Sequence, residues 1–592
     1  MDPYISMSDD YDVIIKNATI VDGTGGKPFK GEVALYGDRI AAVGEELGTA
    51  GKKIDARDRI VSPGFIDVHN HGDISILYYP EAEGFLRQGI TTFIGGQCGG
   101  SPGPYGEYVS GGMMLYDLFR ELYPAMYYPS GHIKRDEFNV HHKEQIGWEV
   151  DWKTMGEFCA KVESFGISPN FVPMVGHGNV RVMTMGLDYE RKATEDEIES
   201  MKPHVRQAME DGCLGMSVGR DYDPGYWAVK EELIELNKVV AEYDGIYQSH
   251  SLRTGLRKAR RPGEFPPPKI NGILEAIDVG RQAGTAVQIS HLGPLYDVYP
   301  GGNDLMTEAA AKATLQIVDE AIEEGLDVSF DVIPNTGGYG VYANNWLAAF
   351  LTPWVRVTGS REQLAKALRM NDFREEIKAT IWSGKWYGLN PNINSRWSVG
   401  RKIAECKNGD YLEKTVSEVA SELGVEPLDA LFEILMEDPY TKLHAMSFAS
   451  PVKSLFYKHP AMMAGIDTLA INTEWEAKSA PWFKPSQNSF NGFAAYFEDI
   501  VREEKVLSIE QAVHHVTGLP AKKFGLKERG VIKAGYYADL VIMDIEKVKD
   551  MSTSLNPCVY PEGIHHVIVN GVHVVDEMSH TGKKPGKVLY RE

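Results

Sequence analysis

Eight short apolar runs recur through the middle of this 592-residue chain, and amphipathic stretches lie between several of them. The runs are GFIDVHNH (64–71), ITTFIGGQCG (90–99), NFVPMVGHG (170–178), LGMSVGR (214–220), GIYQSHS (245–251), AVQISH (286–291), DVSFDVIP (327–334) and AGIDTLA (464–470). Segments such as DEIESMKPHVRQAMEDG (196–212) and KEELIELNKVVAEYDG (230–245) carry apolar residues at helical spacing. Strands that alternate with helices build parallel β/α architecture, because a parallel strand pair needs a crossover long enough to hold a helix. Eight such units suit a closed (β/α)8 TIM-like barrel. An open doubly wound sheet fits less well, since no G-x-G-x-x-G turn follows the first strand.

The two ends of the chain have another texture. YDVIIKNATIVDGTGGKPFKGEVALYGDRIAAVG (11–44) is a series of short β-runs broken by turn residues, and GVIKAGYYADLVIMD (530–544) and HHVIVNGVHVVD (565–576) resume it. We expect both ends to complete one small antiparallel β-sandwich domain, with the barrel inserted in it. The expected division is 1–62 and 526–592 for the β-domain and 63–525 for the barrel. Residues 104–150 and 345–445 break the repeat and read as insertions at the barrel rim, where long loops often form lids.

Composition excludes several partners. The net charge is −22, with 61 basic and 83 acidic residues, which disfavours nucleic acid and anionic membranes. No apolar run approaches the roughly 20 residues of a membrane span. The start, MDPYISMSDDYDV, has no apolar core of a signal peptide. Five cysteines in so long a chain make no disulfide framework, so reduced thiols and a cytoplasmic setting are expected.

The runs end in residues that carry chemistry. His69 and His71 leave the first run two apart, so they point to one side. Cys98 ends the second run, His177 the third, His250 the fifth and His291 the sixth, and Asp467 lies in the eighth. Side chains at the carboxyl ends of barrel strands converge on one mouth. Imidazole, thiolate and carboxylate at so many ends point to a divalent metal site rather than to packing.

In order and number, these motifs resemble the amidohydrolase superfamily. GGQCGG, VGHGNVR, LGMSVGRDYDPGYWAVKEEL, VQISHL and HVTGLPAKKFGLKERGVIKAGYYADLVIMD resemble its D-aminoacylase (N-acyl-D-amino-acid deacylase) branch. The resemblance implies that His69, His71, Cys98, His250 and His291 ligate one or two divalent ions, Zn or Mn. Many relatives place a carboxylated lysine on strand four. LGMSVGR has none, and the resemblance gives that place to Cys98, whose thiolate can bridge metals. It makes Asp467 the general base and acid, and His177 either a carbonyl-polarising group or a residue that orients others.

The substrate end departs from the family. Relatives commonly carry a lysine after the strand-six histidine, a DVYPY stretch after strand seven and a His-Pro-Arg stretch after strand eight. This chain has Leu292 and Gly293, Ile333 and Asn335, and Gln487, Asn488 and Asn491. Arg181, Arg220, Arg253 and Asn335 are the remaining candidates for substrate binding. The loss of cationic anchors suggests a small, uncharged, cyclic substrate opened by water. A cyclic 1,3-diketone of the dihydrophloroglucinol kind, cleaved at C–C by a cyclohydrolase, or a cyclic amide would fit. The alternative is an N-acyl-D-amino-acid deacylase. A deaminase and a non-enzymatic scaffold fit the residues less well. A homo-oligomer is expected, with a small molecule as the only other partner.

Overall fold

The computed structural model describes residues 11–110, 132–221, 223–252, 268–292, 304–334, 342–343, 345–383, 397–445, 452–475, 480, 482 and 484–591. The eight runs form a ring of parallel strands. They are β1 (Phe65–Asp67), β2 (Ile90–Ile94), β3 (Asn170–Val172, resuming at Val175–Gly176), β4 (Gly215–Gly219), β5 (Ile246–His250), β6 (Ala286–Ile289), β7 (Val328–Val332) and β8 (Met462–Ala464). Register pairs such as Ile66 with Thr92, Gly219 with His250 and Val332 with Ala464 carry the ring round.

Two local features differ from an even barrel. The third run breaks at Pro173, which has no N–H for the ladder, so the sheet divides into three-stranded and six-stranded parts. The eighth run is strand only before Gly465, and Asp467 lies beyond it with φ +48°. The ring closes there by main chain: Asp467 N–H donates to the His69 carbonyl (2.9 Å) and His71 N–H to the Thr468 carbonyl (2.7 Å).

Around the ring lie helices such as Glu195–Glu210, Lys230–Ala241, Pro268–Ala283 and Asp304–Glu323. The first starts at a capping box, in which the Thr194 hydroxyl accepts from Glu197 N–H and the Glu197 carboxylate accepts from Thr194 N–H. One large apolar core fills the space between strands and helices, with Phe65, Phe93, Phe171 and Phe330 fully buried in it. Among the described residues, no helix is long and apolar enough to cross a membrane.

Both chain ends share one nine-stranded sheet. The joint is the antiparallel pairing of Ile60–Pro63 with Leu540–Met543. The sheet is mixed rather than antiparallel throughout. Tyr11–Ile20 runs parallel to both Ala50–Asp55 and Ile60–Pro63, because the hairpin Phe29–Gly44 intervenes and returns the chain in the original direction.

A buried polar network fastens this domain to the barrel. The Arg529 guanidinium pairs with Asp539 and donates to Asn570 Oδ1 (2.9 Å), and Asn570 Nδ2 donates to Oδ1 of Asn170 on β3 (2.8 Å). Removing the cation leaves the Asp539 charge buried alone. An Arg529→Met variant is therefore expected to lose about 3–5 kcal/mol, read as a lower denaturant midpoint at unchanged slope.

The chain between β7 and β8 has its own apolar core, formed by Leu351, Leu364, Ile381, Leu431 and Leu443 among others. Arg361 lies over Trp346 (4.0 Å) and Trp482 (3.6 Å), which ties this insertion to the segment after β8. In the 104–150 insertion, Tyr108–Ser110 pairs with His132–Lys134 ahead of the helix Arg135–Ile146, while residues 111–131 lie outside the described residues.

Candidate metal centre

The turn after β1 is held before any ligand is considered. Asp67, fully buried, accepts from the N–H of His69 (3.2 Å) and of Ile466 (3.1 Å), and Asn70 Nδ2 donates to its other oxygen. One carboxylate thus sets the His69 backbone against the segment carrying Asp467. The turn bearing Cys98 is shaped by close approach. A Cβ at Gly96 would lie 2.0 Å from the Met174 carbonyl oxygen, and one at Gly99 would lie 2.6 Å from Gly219 N. Asp73 accepts from Gly96 N–H (2.9 Å) and braces the same turn. Cys98, His291 and Asp467 all adopt left-handed backbone, with φ of +53°, +38° and +48°. Strain of this kind persists only where surroundings enforce it, and it gathers at functional sites.

The side chains converge on Cys98. Its Sγ lies 3.2 Å from His69 Nε2, 3.4 Å from His250 Nδ1 and 3.5 Å from His291 Nε2. Asp467 Oδ1 lies 3.2 Å from His71 Nε2 and 3.5 Å from His69 Nε2. Two donor sets result, His69–His71–Cys98–Asp467 and Cys98–His250–His291, each with its donor atoms within 4.8 Å and with Cys98 common to both. All six side chains are buried. Imidazole nitrogens, a thiolate and a carboxylate at this spacing fit one divalent ion, or two sharing the sulfur, with zinc the ion that this donor mixture suits best.

Charge in the cluster is self-consistent. Burial alone would raise the Cys98 thiol, yet the charges of His69 and His250 and hydrogen bonds from His250 and His291 hold it well below its usual range. Burial would also raise the Asp467 carboxyl, but the His69 charge, the His71 hydrogen bond and the His291 charge outweigh it and hold it low. Burial works to lower His71, and the hydrogen bonds to Asp467 and Cys98 prevail, raising it to about 10. His69 is raised too, by Cys98, Asp331 and Asp467 against burial. In the metal-free chain, the two anions therefore hold protons on His69 and His71. A metal ion must displace those protons, so uptake releases them and affinity rises with pH up to about 10. Zinc titration calorimetry in two buffers of different ionisation enthalpy counts them, and uptake without proton release would contradict this charge arrangement.

Behind the cluster lie carboxylates that the motif reading did not single out. His250 turns its Nε2 to Asp221 (3.2 Å), which leaves Nδ1 for the site. Asp331 Oδ1 lies 3.4 Å from His69 Nδ1 and accepts from His291 N–H (2.7 Å), and its Oδ2 accepts from Gln288 Nε2 (3.0 Å). Such partners fix ring orientation and basicity. The sequence held a faint signal for them: Asp67, Asp221 and Asp331 are acidic residues within or directly after runs that otherwise read as core strands.

Three expected residues have other partners. His177 Nε2 lies 2.8 Å from Glu232 Oε1, and Arg181 pairs with the other oxygen of that carboxylate, all three side chains fully buried. Arg181 also donates to the main-chain carbonyls of Tyr189 (3.1 Å) and Arg191. Arg220 is forked onto Glu275 (2.7 and 3.2 Å) and donates to the carbonyls of Gly225 and Ala228. These arginines are drawn into the fold because a buried guanidinium needs a carboxylate partner. The expectation that Arg181 and Arg220 grip substrate is corrected accordingly, and the Glu232 contact favours an orienting part for His177. Arg253 and Asn335 lie outside the described residues.

An amidohydrolase family model matches residues 394–575. The N-acyl-D-glutamate deacylase of Alcaligenes xylosoxydans xylosoxydans is 27% identical over 592 residues, which covers 99% of this chain and 98% of that protein. The D-aminoacylase of the same organism is 26% identical over 587 residues, covering 99% of both. A solved D-aminoacylase, described for the functional role of its binuclear metal centre, superposes with a TM-score of 0.67 at 26% identity over 98% of this chain and 100% of that one. Along its whole length, this chain is similar to metal-dependent hydrolases of the D-aminoacylase branch of the amidohydrolase superfamily.

Proposed function

We propose that this chain is a deacylase of the D-aminoacylase type, in which water attacks the acyl carbonyl of a small N-acyl substrate. The observation that carries the reading is the pair of donor sets sharing Cys98, with Asp467 set against His69 and His71, in a chain that aligns end to end with deacylases. A divalent ion bound there supplies a water of lowered pKa and a Lewis-acid contact for the carbonyl oxygen. Asp467 orients the attacking water and takes its proton as the C–O bond forms. The same carboxyl then delivers that proton to the leaving nitrogen as the C–N bond breaks. Cys98 supplies negative charge that offsets the ion, while Asp331 and Asp221 hold His69, His291 and His250 in place. Zinc is the first ion to test and manganese the second, since donor type favours the one and availability can favour the other. The solved D-aminoacylase is described by one-metal activation and second-metal attenuation, and the two sets joined at Cys98 offer the same choice here.

One observation favours a second reading. Arg181 and Arg220 already have their charges paired with Glu232 and Glu275, which disfavours either as the grip for a substrate α-carboxylate. A neutral cyclic substrate needs no such grip. The same water addition to a ring carbonyl would open a cyclic amide at C–N or a cyclic 1,3-diketone at C–C. Zinc-loaded enzyme offered N-acetyl-D-amino acids in parallel with cyclic amides and 1,3-diketones separates the two by mass spectrometry. Free D-amino acid establishes the deacylase reading, and a ring product heavier by one water without deacylation replaces it.

A further inference from the structure

The β-domain carries a second cluster of ligating side chains, remote in sequence from the barrel ligands. His566 lies on the strand Ile564–Val569, and His573 and Asp576 lie on its antiparallel partner Val572–Asp576. Their donor atoms fall within 4.8 Å of one another. His566 Nδ1 is 3.1 Å from Asp576 Oδ1, and the two imidazole centroids are 5.4 Å apart.

In a regular strand, residues three apart point to opposite faces. His573 and Asp576 share a face because the register slips between them. Val567 pairs with Val575 but Ile568 pairs with His573, leaving Val574 as the extra residue of a bulge. Bulges commonly serve to re-aim a side chain.

A cation already pairs with two of the three groups. Lys52, from the strand Ala50–Asp55, donates to Asp576 Oδ2 (2.9 Å) and to His573 Nδ1 (3.0 Å). An ammonium can only donate, so His573 Nδ1 presents its lone pair inward. Its proton is then on Nε2, which is buried without a partner. The lysine side chain is 47% exposed and can swing into solvent. His566 is only 4% exposed, and the carboxylate of Glu577 stands 3.8 Å from its Nε2, on the side that carries the ring proton when Nδ1 is the ligating atom.

We propose that His566, His573 and Asp576 form a second transition-metal site, a two-nitrogen, one-carboxylate set that takes zinc or a similar ion in competition with the Lys52 ammonium. Neutral imidazole with carboxylate is the donor chemistry that such ions select. The site is independent of the barrel centre, and its occupancy is readable without catalysis.

The test uses the full chain dialysed against buffered zinc, with metal per chain measured by elemental analysis. The parent is expected to hold one equivalent more than His573→Ala or Asp576→Asn. A Lys52→Met variant is expected to bind that equivalent on the order of tenfold more tightly. Cobalt locates the ion, because a Cys98-containing centre gives a thiolate charge-transfer band that the β-domain site lacks. Unequal cobalt content with equal band intensity supports the proposal. Equal metal content in the parent, His573→Ala and Asp576→Asn, with unchanged affinity in Lys52→Met, overturns it. If the two ligand variants do not fold, the Lys52→Met affinity alone decides.

Discussion

An Asp467→Asn variant, compared at equal metal content, is expected to lose about 10²- to 10⁴-fold in kcat, because the amide preserves the shape of the side chain but can no longer take a proton from water. The carboxylate lies 3.2 Å from His71 and 3.5 Å from His69, so its charge also sets the protonation of both. In the variant, the histidine protons are held less firmly. Metal uptake at pH 7 is then expected to release fewer protons than in the parent, a readout separate from turnover. The substitution should leave kcat low at every pH, since no change of pH restores a base to that position. Rescue by alkaline pH would mean that Asp467 only tunes its neighbours.

Cys98→Ser is expected to weaken zinc binding by at least about 100-fold, more than loss of a supporting carboxylate would, since it touches both donor sets at once. A serine hydroxyl stays neutral near pH 7 and cannot supply the negative charge that His69, His250 and His291 face. Activity at limiting zinc should fall in proportion to occupancy. Cys98→Asp, which restores an anion, should recover part of both. If Cys98→Ser retains zinc and turnover, the thiol is a packed core residue, and the two donor sets are not joined through it. The other buried thiols provide the contrast: burial pushes Cys159 and Cys213 up, with no histidine to draw them down.

The clustering of the candidate ligands was legible because each follows its own strand in a repeating pattern. A parallel barrel delivers the carboxyl ends of all its strands to one mouth, so the HxH pair, the glycine-flanked cysteine and the later histidines needed no long-range information to be grouped. The β-domain was legible in the same way, from the matching texture of the two ends. Its mixed direction was not, because strand polarity depends on which segments meet and not on how any one of them reads.

The partners of the arginines lay beyond the sequence. Arg181 and Arg220 follow strand ends as a substrate anchor would, and nothing local distinguishes the two roles. Only the packed structure shows Glu232 and Glu275 arriving from neighbouring helices to claim them. The same holds for Asp331 and Asp221, whose value to the site depends on which imidazole atom they meet. The sequence alone determined which side chains gather at the barrel mouth, because strand periodicity and chain order dictate that. Tertiary structure decided which of the buried charges remain available to a substrate, because a charge inside a protein takes the nearest opposite charge that the fold supplies.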